Sequence, residues 1–573
     1  MNTLDYEGII IGSGFGGAVN ACRLSKKWPG KILLVERGKR YPMGSFPRKP
    51  HDMAQNFWNS SFEKIKRPKS LRKLSSHGLF DIRSYRHMDA VLAAGYGGGS
   101  LIYANVFMEA PSAVYEHNRW PKSCGKGQLA SYYKVARSIL GARKIPDPNL
   151  DGRKIIRTEF FQDLAKQLGY KSNLADINVF FGNDHKNPLP MGLQDKNRFG
   201  AVQTSCTYCG ECDIGCNTHS KNTLDLNYLF VAENNYGLNI LTEHLAQKIC
   251  PLDEDGSPNP SSDGRYGYQV DIWDLNKNQG QSFTTSRVVV SAGTLGTNEL
   301  LLRNKKIFKT LPKISENLGK HFSGNGDFLS FILGSDKPVD PNYGPVITQY
   351  TDHHLFADHD PERAFILEDA SYPSHLAWFV EGEKPGVLKL GAIANTIKSV
   401  IQRFIRGRSL GRVGYALENL LKEDLSYHTC VNLCMGLDQA NGKLKLDRKG
   451  HIEINWPYWD SIELYEAILD LGSKMKKLVN GDAFLPLPTW FMPMRKNVTV
   501  HPLGGCIVAE SAALGVSHSD KKNFGKLHGY ENLFVADGSL VPTAVGANPC
   551  ATITAMSEMV AHGITGLKPT RSL

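Results

Sequence analysis

The stretch GIIIGSGFGGAVNACRLSKKWPGKILLVE, residues 8–36, decides the fold of this chain. An apolar segment leads directly into Gly12-x-Gly14-x-x-Gly17, and a segment of helical composition then precedes a second apolar segment that ends in Glu36. Gly12 permits a tight turn, Gly14 lets the backbone approach a pyrophosphate, and Gly17 lets the helix pack closely on the strand. Amides at the helix N-terminus bind phosphate, and an acid about 20 residues further on accepts a ribose hydroxyl. The stretch therefore predicts a dinucleotide-binding fold.

Length and composition indicate a globular protein of more than one domain. The chain has 573 residues, of which 41% are hydrophobic and 21% are charged, and a single core rarely extends beyond about 250–300 residues. No segment approaches the ~20 uninterrupted apolar residues that a membrane-spanning helix needs. The N-terminus lacks the charged and apolar regions of a secretory signal, so a cytoplasmic location is expected.

The net charge of +11 raises the question of a nucleic-acid partner. An excess of lysine and arginine favours such a partner when it is gathered on one arm or surface. Here the basic residues are spread along the chain, and no finger, basic-helix or RNA-binding motif accompanies them. The sequence therefore does not predict nucleic-acid binding.

Three further segments distinguish FAD from a nicotinamide cofactor. They are AAGYGGGSLIYANV (93–106), SAGTLGTNELLLRN (291–304) and NLFVADGSLVPTAVGANPCATITAMSEMVA (532–561). In this order, together with the first glycine motif, they resemble the glucose–methanol–choline oxidoreductase family, and most closely its cholesterol oxidase branch. The resemblance covers both ends of the chain and much of the middle.

This resemblance implies FAD as the cofactor. It places the glycine run 97–99 and Ser100 along the flavin, where the absence of side chains lets the backbone come close, and Asp537 at the ribityl–pyrophosphate end. The residues that it assigns to the cofactor are Gly12, Gly14, Phe15, Gly17, Glu36, Gly97, Gly98, Gly99, Ser100, Asn105, Ala292, Gly293, Asp537, Gly538, Asn548 and Pro549.

The resemblance also implies a catalytic pair. His501 begins the segment HPLGGC, and Asn548 precedes Pro549 near the C-terminus. Alcohol oxidation needs a group that takes the hydroxyl proton while hydride leaves the carbon, and a histidine suits this because it titrates near neutral pH. An amide can orient the hydroxyl. In the cholesterol oxidase branch the matching histidine and asparagine contact the substrate hydroxyl, so His501 and Asn548 are assigned to this pair.

A third catalytic candidate is Glu368, in the segment FILEDASYP. In cholesterol oxidases a glutamate in a similar acid-then-proline segment moves a proton between ring carbons during isomerisation. Burial against apolar carbon would raise the pKa of such a carboxyl and suit it to carry a proton. Asp369 is adjacent, and a surface loop with no such role remains the alternative.

Four of the eleven cysteines lie close together in SCTYCGECDIGC (205–216). The spacing of Cys206, Cys209, Cys212 and Cys216 is that of a ferredoxin, although Asn217 stands where a proline usually follows. An iron–sulfur cluster, a zinc ion on four thiolates, and free buried thiols or local disulfides all remain open. The typical cholesterol oxidase lacks these cysteines, so the electron acceptor is expected to be either oxygen or a carrier served by a cluster.

The motifs predict a discontinuous arrangement of domains. An α/β FAD-binding domain of the Rossmann type, similar to that of glutathione reductase, is expected to consist of residues 1–110, 225–330 and 495–573. An α+β substrate-binding domain with a large antiparallel sheet is expected over 331–494, and residues 111–224 form a substrate or cap region with the cysteine-rich insert. Within 387–422 apolar and basic residues recur at helical spacing, which predicts either an amphipathic helix in peripheral contact with a membrane or a helix that covers the substrate domain.

Three hypotheses for function follow. The first is oxidation of a sterol-like or similarly bulky lipid alcohol to a ketone or aldehyde, with or without isomerisation by Glu368. The second is oxidation of a long-chain fatty alcohol, with electrons passing through an iron–sulfur cluster to a carrier. The third, from another class, is a flavin-bound electron-transfer or binding protein without alcohol activity. A light-driven decarboxylase on the same fold is disfavoured by the presence of both His501 and Asn548.

Overall fold

The computed structural model describes residues 4–58, 77–147, 149–373, 424–491 and 494–573. The predicted basic helix of 387–422 lies outside the described residues. The α-helices in the described parts are Phe15–Lys27, Pro50–Gln55, Lys126–Leu140, Ile156–Gln167, Tyr228–Tyr236, Gly293–Lys306, Asp424–Tyr427, Ile462–Leu478 and Cys550–Thr565. None of the helices described is long and apolar enough to cross a membrane.

A five-stranded parallel sheet organises the nucleotide-binding part. Its strands, in spatial order, are Leu533–Val535, Val288–Val290, Gly8–Ile11, Ile32–Val35 and Asn239–Leu241. Every residue of the first four strands is buried, as expected when both faces of a parallel sheet are covered. The sheet joins segments from both ends and the middle of the chain, which confirms the Rossmann-type fold; the domain boundaries stay a prediction.

A buried ion pair ties two helices beside this sheet together. Arg23 in helix Phe15–Lys27 forms two hydrogen bonds with Glu558 in helix Cys550–Thr565, at 3.0 and 2.9 Å. The hydroxyl of Tyr228 donates to the same carboxylate at 2.7 Å. Because every charge here is paired, the polar groups are accommodated inside an otherwise apolar core.

The second large sheet is antiparallel and has six strands. In spatial order these are Ala483–Pro486, Phe328–Leu333, Cys430–Gly436, Phe365–Ala370, Gln349–His353 and Ser172–Leu174. Helix Ile462–Leu478 packs on it, with its apolar side chains in the same core as those of the central strands. This sheet confirms the predicted substrate-binding architecture.

Smaller sheets accompany the two large ones. Strands His244–Pro251, Tyr268–Asp274 and Gln279–Thr285 form an antiparallel sheet. A four-stranded sheet contains Ile452–Asn455, Gly442–Leu446, Lys320–Ser323 and Leu503–Gly505. A three-stranded sheet contains Asn497–Thr499, Met88–Ala93 and Phe80–Ser84. Two two-stranded sheets complete the described strands: Val508–Ala509 with Ser517–His518, which are parallel, and Gln194–Lys196 with Val202–Thr204, which are antiparallel.

Candidate active site

The first glycine loop lies at the carboxyl end of the central parallel strand, and its glycines are required by close backbone contacts. Gly12 has φ +98°, and a Cβ there would stand 2.3 Å from the carbonyl oxygen of Ser291. A Cβ at Gly17 would stand 1.8 Å from the carbonyl oxygen of Gly12. Gly16 is equally constrained, since its Cβ would meet the carbonyl oxygen of Ala536 at 1.4 Å. The triplet pattern does not include Gly16, so the sequence analysis missed it.

The helix that follows this loop begins with free amides. Its N-cap is Gly14, no side chain caps it, and no acidic residue lies in its first turn. Glu36, at the end of the neighbouring strand, accepts hydrogen bonds from the amide and hydroxyl of Ser13 at 3.0 and 2.6 Å and from the amide of Gly38 at 2.8 Å. Its carboxylate therefore also organises the loop, a role that the sequence analysis did not foresee. Oε2 accepts both bonds from Ser13, whereas Oε1 accepts only the bond from Gly38 and retains a lone pair for a ribose hydroxyl.

The second glycine segment lies directly against the first. Gly97 and Gly98 have φ +120° and +55°, and a Cβ at Gly98 would stand 2.5 Å from the Cα of Gly14. No described atom lies within 4 Å of a Cβ built on Gly99. Ser100 instead turns its hydroxyl into the protein, donating to the carbonyl oxygen of Gly97 at 2.7 Å and accepting from the amide of Leu224 at 3.1 Å.

Two further predicted cofactor segments meet at the same edge of the sheet. Helix Gly293–Lys306 begins after Ala292 without a side-chain cap, and a Cβ on Gly293 would have no described atom within 4 Å. Asp537 accepts hydrogen bonds from Thr297 Oγ1 at 2.5 Å and from the Ser539 amide at 2.9 Å. These bonds hold the short turn that begins at Gly538.

Buried polar atoms without protein partners mark the cleft between these segments. Among the described residues, Asn105 has no hydrogen-bond partner for either side-chain atom although it is fully buried, and its φ is +60°. Phe15 packs edge-on against Tyr103 beside it, with ring centroids 5.5 Å apart. Helix Cys550–Thr565 begins after Pro549 without a side-chain cap. Uncapped helix N-termini, open glycines and unpaired amides fit a dinucleotide with a flat ring system, because such groups bind phosphates and ring edges.

His501 is held by a buried carboxylate that the sequence analysis missed. Its Nδ1 lies 2.8 Å from Oδ1 of Asp327, whose side chain is 3% exposed. The other oxygen of Asp327 accepts from the amides of Val500 and His501, at 2.8 and 3.2 Å, and from Thr499 Oγ1 at 3.1 Å. Asp327 therefore keeps the proton of the imidazole on Nδ1 and leaves Nε2 able to accept one.

Asn548 is positioned from the same turn. Asn325 donates from Nδ2 to the carbonyl oxygen of Ala547 at 2.9 Å, and its Oδ1 accepts from the amides of Val545 and Gly546 at 2.9 and 3.0 Å. One turn, Gly324-Asn-Gly-Asp327, thus anchors both the loop before Asn548 and the segment of His501. In the sequence, the available signal for this turn was a polar stretch directly after a strand. In the structure Asn325 has the positive φ of +58° that is typical of a turn.

Glu368 lies beside Asn548, and its neighbour Asp369 lies elsewhere. The amide Nδ2 of Asn548 is 3.5 Å from Glu368 Oε2, whereas Glu368 Oε1 and Asn548 Oδ1 are buried without partners among the described residues. Burial raises the pKa of Glu368 well above its usual value. Asp369 instead accepts from the amides of Thr348 and Gln349 at 2.8 and 2.7 Å. Because successive strand residues point to opposite faces, only Glu368 shares a site with Asn548.

The four clustered cysteines are not arranged as a metal site. Within the described residues there is no group of three or more His, Cys, Asp or Glu side chains that could hold a metal ion. All four border a space of about 10 Å³, close to the room that one water molecule needs. Burial raises the pKa of Cys206, Cys209 and Cys212, which favours neutral thiols. The predicted iron–sulfur or zinc site is therefore not confirmed.

Comparison with known proteins identifies a family and a set of similar chains. The family model described as GMC oxidoreductase matches residues 6–323 in its N-terminal part and 438–557 in its C-terminal part. A cholesterol oxidase of Acinetobacter baumannii is 29% identical over 97% of this chain and 94% of its own length. A cholesterol oxidase of Mycobacterium tuberculosis is 26% identical over 97% and 90%. A long-chain-alcohol oxidase of Arabidopsis thaliana is 23% identical over 99% of this chain and 68% of its own length.

Solved structures show the same fold at low sequence identity. Pyridoxine 4-oxidase from Mesorbium loti is 15% identical, with a TM-score of 0.57 over 97% of this chain and 98% of that one. A formate oxidase variant from Aspergillus oryzae RIB40 is 15% identical, with a TM-score of 0.58 over 99% of each chain. These similarities concern the fold, and they support the two-part architecture described above.

Proposed function

The chain belongs to the GMC oxidoreductase family, and on this premise we propose that it oxidises the hydroxyl of a sterol-like alcohol to a ketone. Membership of the family and the cleft together support an FAD-dependent oxidoreductase that acts on alcohols. The choice of a sterol-like substrate draws on the full-length similarity to cholesterol oxidases and on the buried carboxyl of Glu368.

The proposed chemistry assigns one task to each polar residue of the site. FAD, when bound, supplies the acceptor for the hydride that leaves the carbinol carbon. His501 accepts the hydroxyl proton at Nε2, because Asp327 holds the other ring nitrogen at 2.8 Å. Asn548 orients the substrate oxygen with its side-chain amide, whose Oδ1 has no partner among the described residues. Backbone amides at the uncapped helix N-termini hold the cofactor's phosphates.

The buried carboxyl of Glu368 is the observation that carries the sterol assignment. Its side chain is fully buried, one oxygen has no partner among the described residues, and burial raises its pKa. An apolar setting raises the proton affinity of the carboxylate, which can then take a proton from one ring carbon and return it to another. We infer that Glu368 moves a proton between ring carbons after oxidation, which a saturated long-chain alcohol would not require.

For the electron acceptor we propose molecular oxygen. The curated relatives named above are oxidases. The competing carrier route requires a cluster on Cys206, Cys209, Cys212 and Cys216. Iron and acid-labile sulfide in protein purified without air would favour that route, and their absence together with peroxide formation would favour oxygen.

Product analysis tests the proposal. Wild-type enzyme given a 3β-hydroxy-Δ5 steroid should release the conjugated ketone, detected by its ultraviolet absorption. The Glu368→Gln variant should release mainly the unconjugated ketone at a comparable rate of peroxide formation. Glu453→Gln, at an exposed strand position, serves as the matched control and should behave like wild type. Rapid turnover of long-chain alcohols with no turnover of the steroid would refute the sterol assignment.

A further inference from the structure

A pocket of about 360 Å³ lies at the C-terminal end of helix Lys126–Leu140, and the residues proposed for the active site are not among its described lining residues. We call it the basic pocket. Its basic side chains come from separate parts of the chain: Lys134, Arg137, Arg143, His185, Arg198 and Arg571. No aspartate or glutamate is among the described residues that line it.

The charge of Arg143 is not neutralised within the described part of the chain. Its Nη2 donates to the carbonyl oxygen of His185 at 3.0 Å, while its Nη1 is buried without a hydrogen-bond partner. Asp184 attracts it without forming an ion pair, and burial lowers the pKa of Arg143. Burial, and then the nearby charge of Arg143, also lower the pKa of His185. The pocket thus retains a positive potential.

Arg198 brings a second guanidinium with no carboxylate partner among the described residues. It donates to Ser138 Oγ at 3.2 Å and to the carbonyl oxygen of Arg571 at 3.3 Å. It also lies over the ring of Phe199, 4.6 Å from the centroid. Arg137 differs, because it pairs with Asp176 at 2.7 Å.

The helix end alone does not account for this concentration of charge. The C-terminus of a helix attracts nearby cations, an effect confined to its last turn and equivalent to about half an elementary charge. Arg143, Arg198 and Arg571 come from other segments and converge on the same volume. Keeping unpaired like charges together is unfavourable unless an anion joins them.

We propose that the basic pocket binds a small phosphorylated organic molecule. A phosphate offers three acceptor oxygens and a charge of about −1.5 to −2 to several guanidinium groups at once, whereas a carboxylate offers two oxygens and a single charge. The volume is in the range of small-molecule sites, about 300–1,000 Å³, and exceeds what inorganic phosphate alone would fill. Phe180 and Phe199 also line it and offer apolar surface to the remainder of the ligand. The site is independent of the proposed alcohol chemistry.

Isothermal titration calorimetry on the FAD-loaded enzyme tests this inference, because bound FAD fills the dinucleotide cleft. AMP is the probe, adenosine is its uncharged counterpart, and vesicles of phosphatidic acid represent a lipid source of phosphate. AMP should bind about tenfold or more tightly than adenosine, since its phosphate forms charge-assisted hydrogen bonds that adenosine cannot form. Binding of the vesicles in place of AMP, or no binding of AMP, would overturn the proposal.

Variants of the lining residues test whether AMP binds in the basic pocket. Arg198→Gln and Arg571→Gln should each weaken AMP binding about tenfold or more, while Arg198→Lys should weaken it less because the charge is kept. Arg265→Gln is the matched control, since Arg265 is exposed and pairs with Asp263 outside the pocket. Arg571 is exposed near the C-terminus, so its substitution leaves the core intact. Equal AMP affinity in Arg571→Gln, Arg198→Gln and wild type would contradict the assignment.

Discussion

Replacing Asp327 by asparagine is expected to stop His501 acting as a base while preserving the fold. Oδ2 of Asp327 accepts from three donors, the Val500 and His501 amides and the Thr499 hydroxyl, whereas Oδ1 faces only His501 Nδ1 at 2.8 Å. An asparagine must keep its oxygen on the three donors, so its NH2 group turns toward Nδ1. Nδ1 then becomes the acceptor and Nε2 carries the proton, which removes the lone pair that would receive the hydroxyl proton.

The expected loss is that of a positioned general base. Such a group contributes about 10²–10⁴-fold to rate, equivalent to about 2.7–5.5 kcal/mol. The rate of flavin bleaching by substrate, measured anaerobically by stopped flow, should fall by this factor, while KM and FAD content change little. Thermal melting checks the fold. Asp447→Asn is the matched control, because Asp447 likewise accepts from backbone amides, those of Lys449 and His451, in an exposed turn.

The reasoning would be refuted by an Asp327→Asn enzyme that reduces its flavin within about threefold of the wild-type rate. The proton would then be taken by another group, and Asp327 would serve only to fold the segment around His501. A loss of FAD with normal melting would instead place Asp327 in cofactor binding.

Three further predictions address the site and the core. Burial raises the pKa of Glu368, so the free energy of unfolding of the wild type should fall as the pH rises above about 4.5. In urea denaturation, Glu368→Gln should become more stable relative to wild type by up to about 1.4 kcal/mol per pH unit. Gly98→Ala should lower FAD retention on gel filtration, since its Cβ would stand 2.5 Å from the opposing loop; Gly30→Ala shares the positive φ without any contact within 4 Å and should retain FAD. Arg23→Leu should destabilise the protein by about 3–5 kcal/mol in the same denaturation assay, because Glu558 would stay buried and unpaired; stability within 1 kcal/mol of wild type would contradict the role of this pair.

The sequence predicts those parts of the molecule whose signals are local. Strand, glycine triplet, helix and second strand follow each other within residues 8–36, and each has an independent physical reason to form. Gly16 escaped detection because its neighbour, Ala536, is more than 500 positions away. The two acids at 368 and 369 could not be distinguished until the strand that contains them fixed which face each occupies.

Long-range hydrogen bonds explain why the site was only partly predictable. Asp327 reaches His501 across 174 positions and Asn325 reaches Ala547 across 222. No spacing rule connects such pairs, so the sequence and the resemblance indicated His501 and Asn548 but not the turn that anchors both. The cysteines show the converse: their spacing is typical of a cluster, yet spacing alone does not determine whether the thiols converge.

The anaerobic absorption spectrum of the purified enzyme, recorded before and after addition of a 3β-hydroxysteroid, tests the central claim most directly. Oxidised flavin should be visible at first and should bleach when the steroid is added, because hydride leaves the alcohol for the cofactor. A flavin spectrum that stays unchanged with the steroid and with a long-chain alcohol would contradict alcohol oxidation at this site.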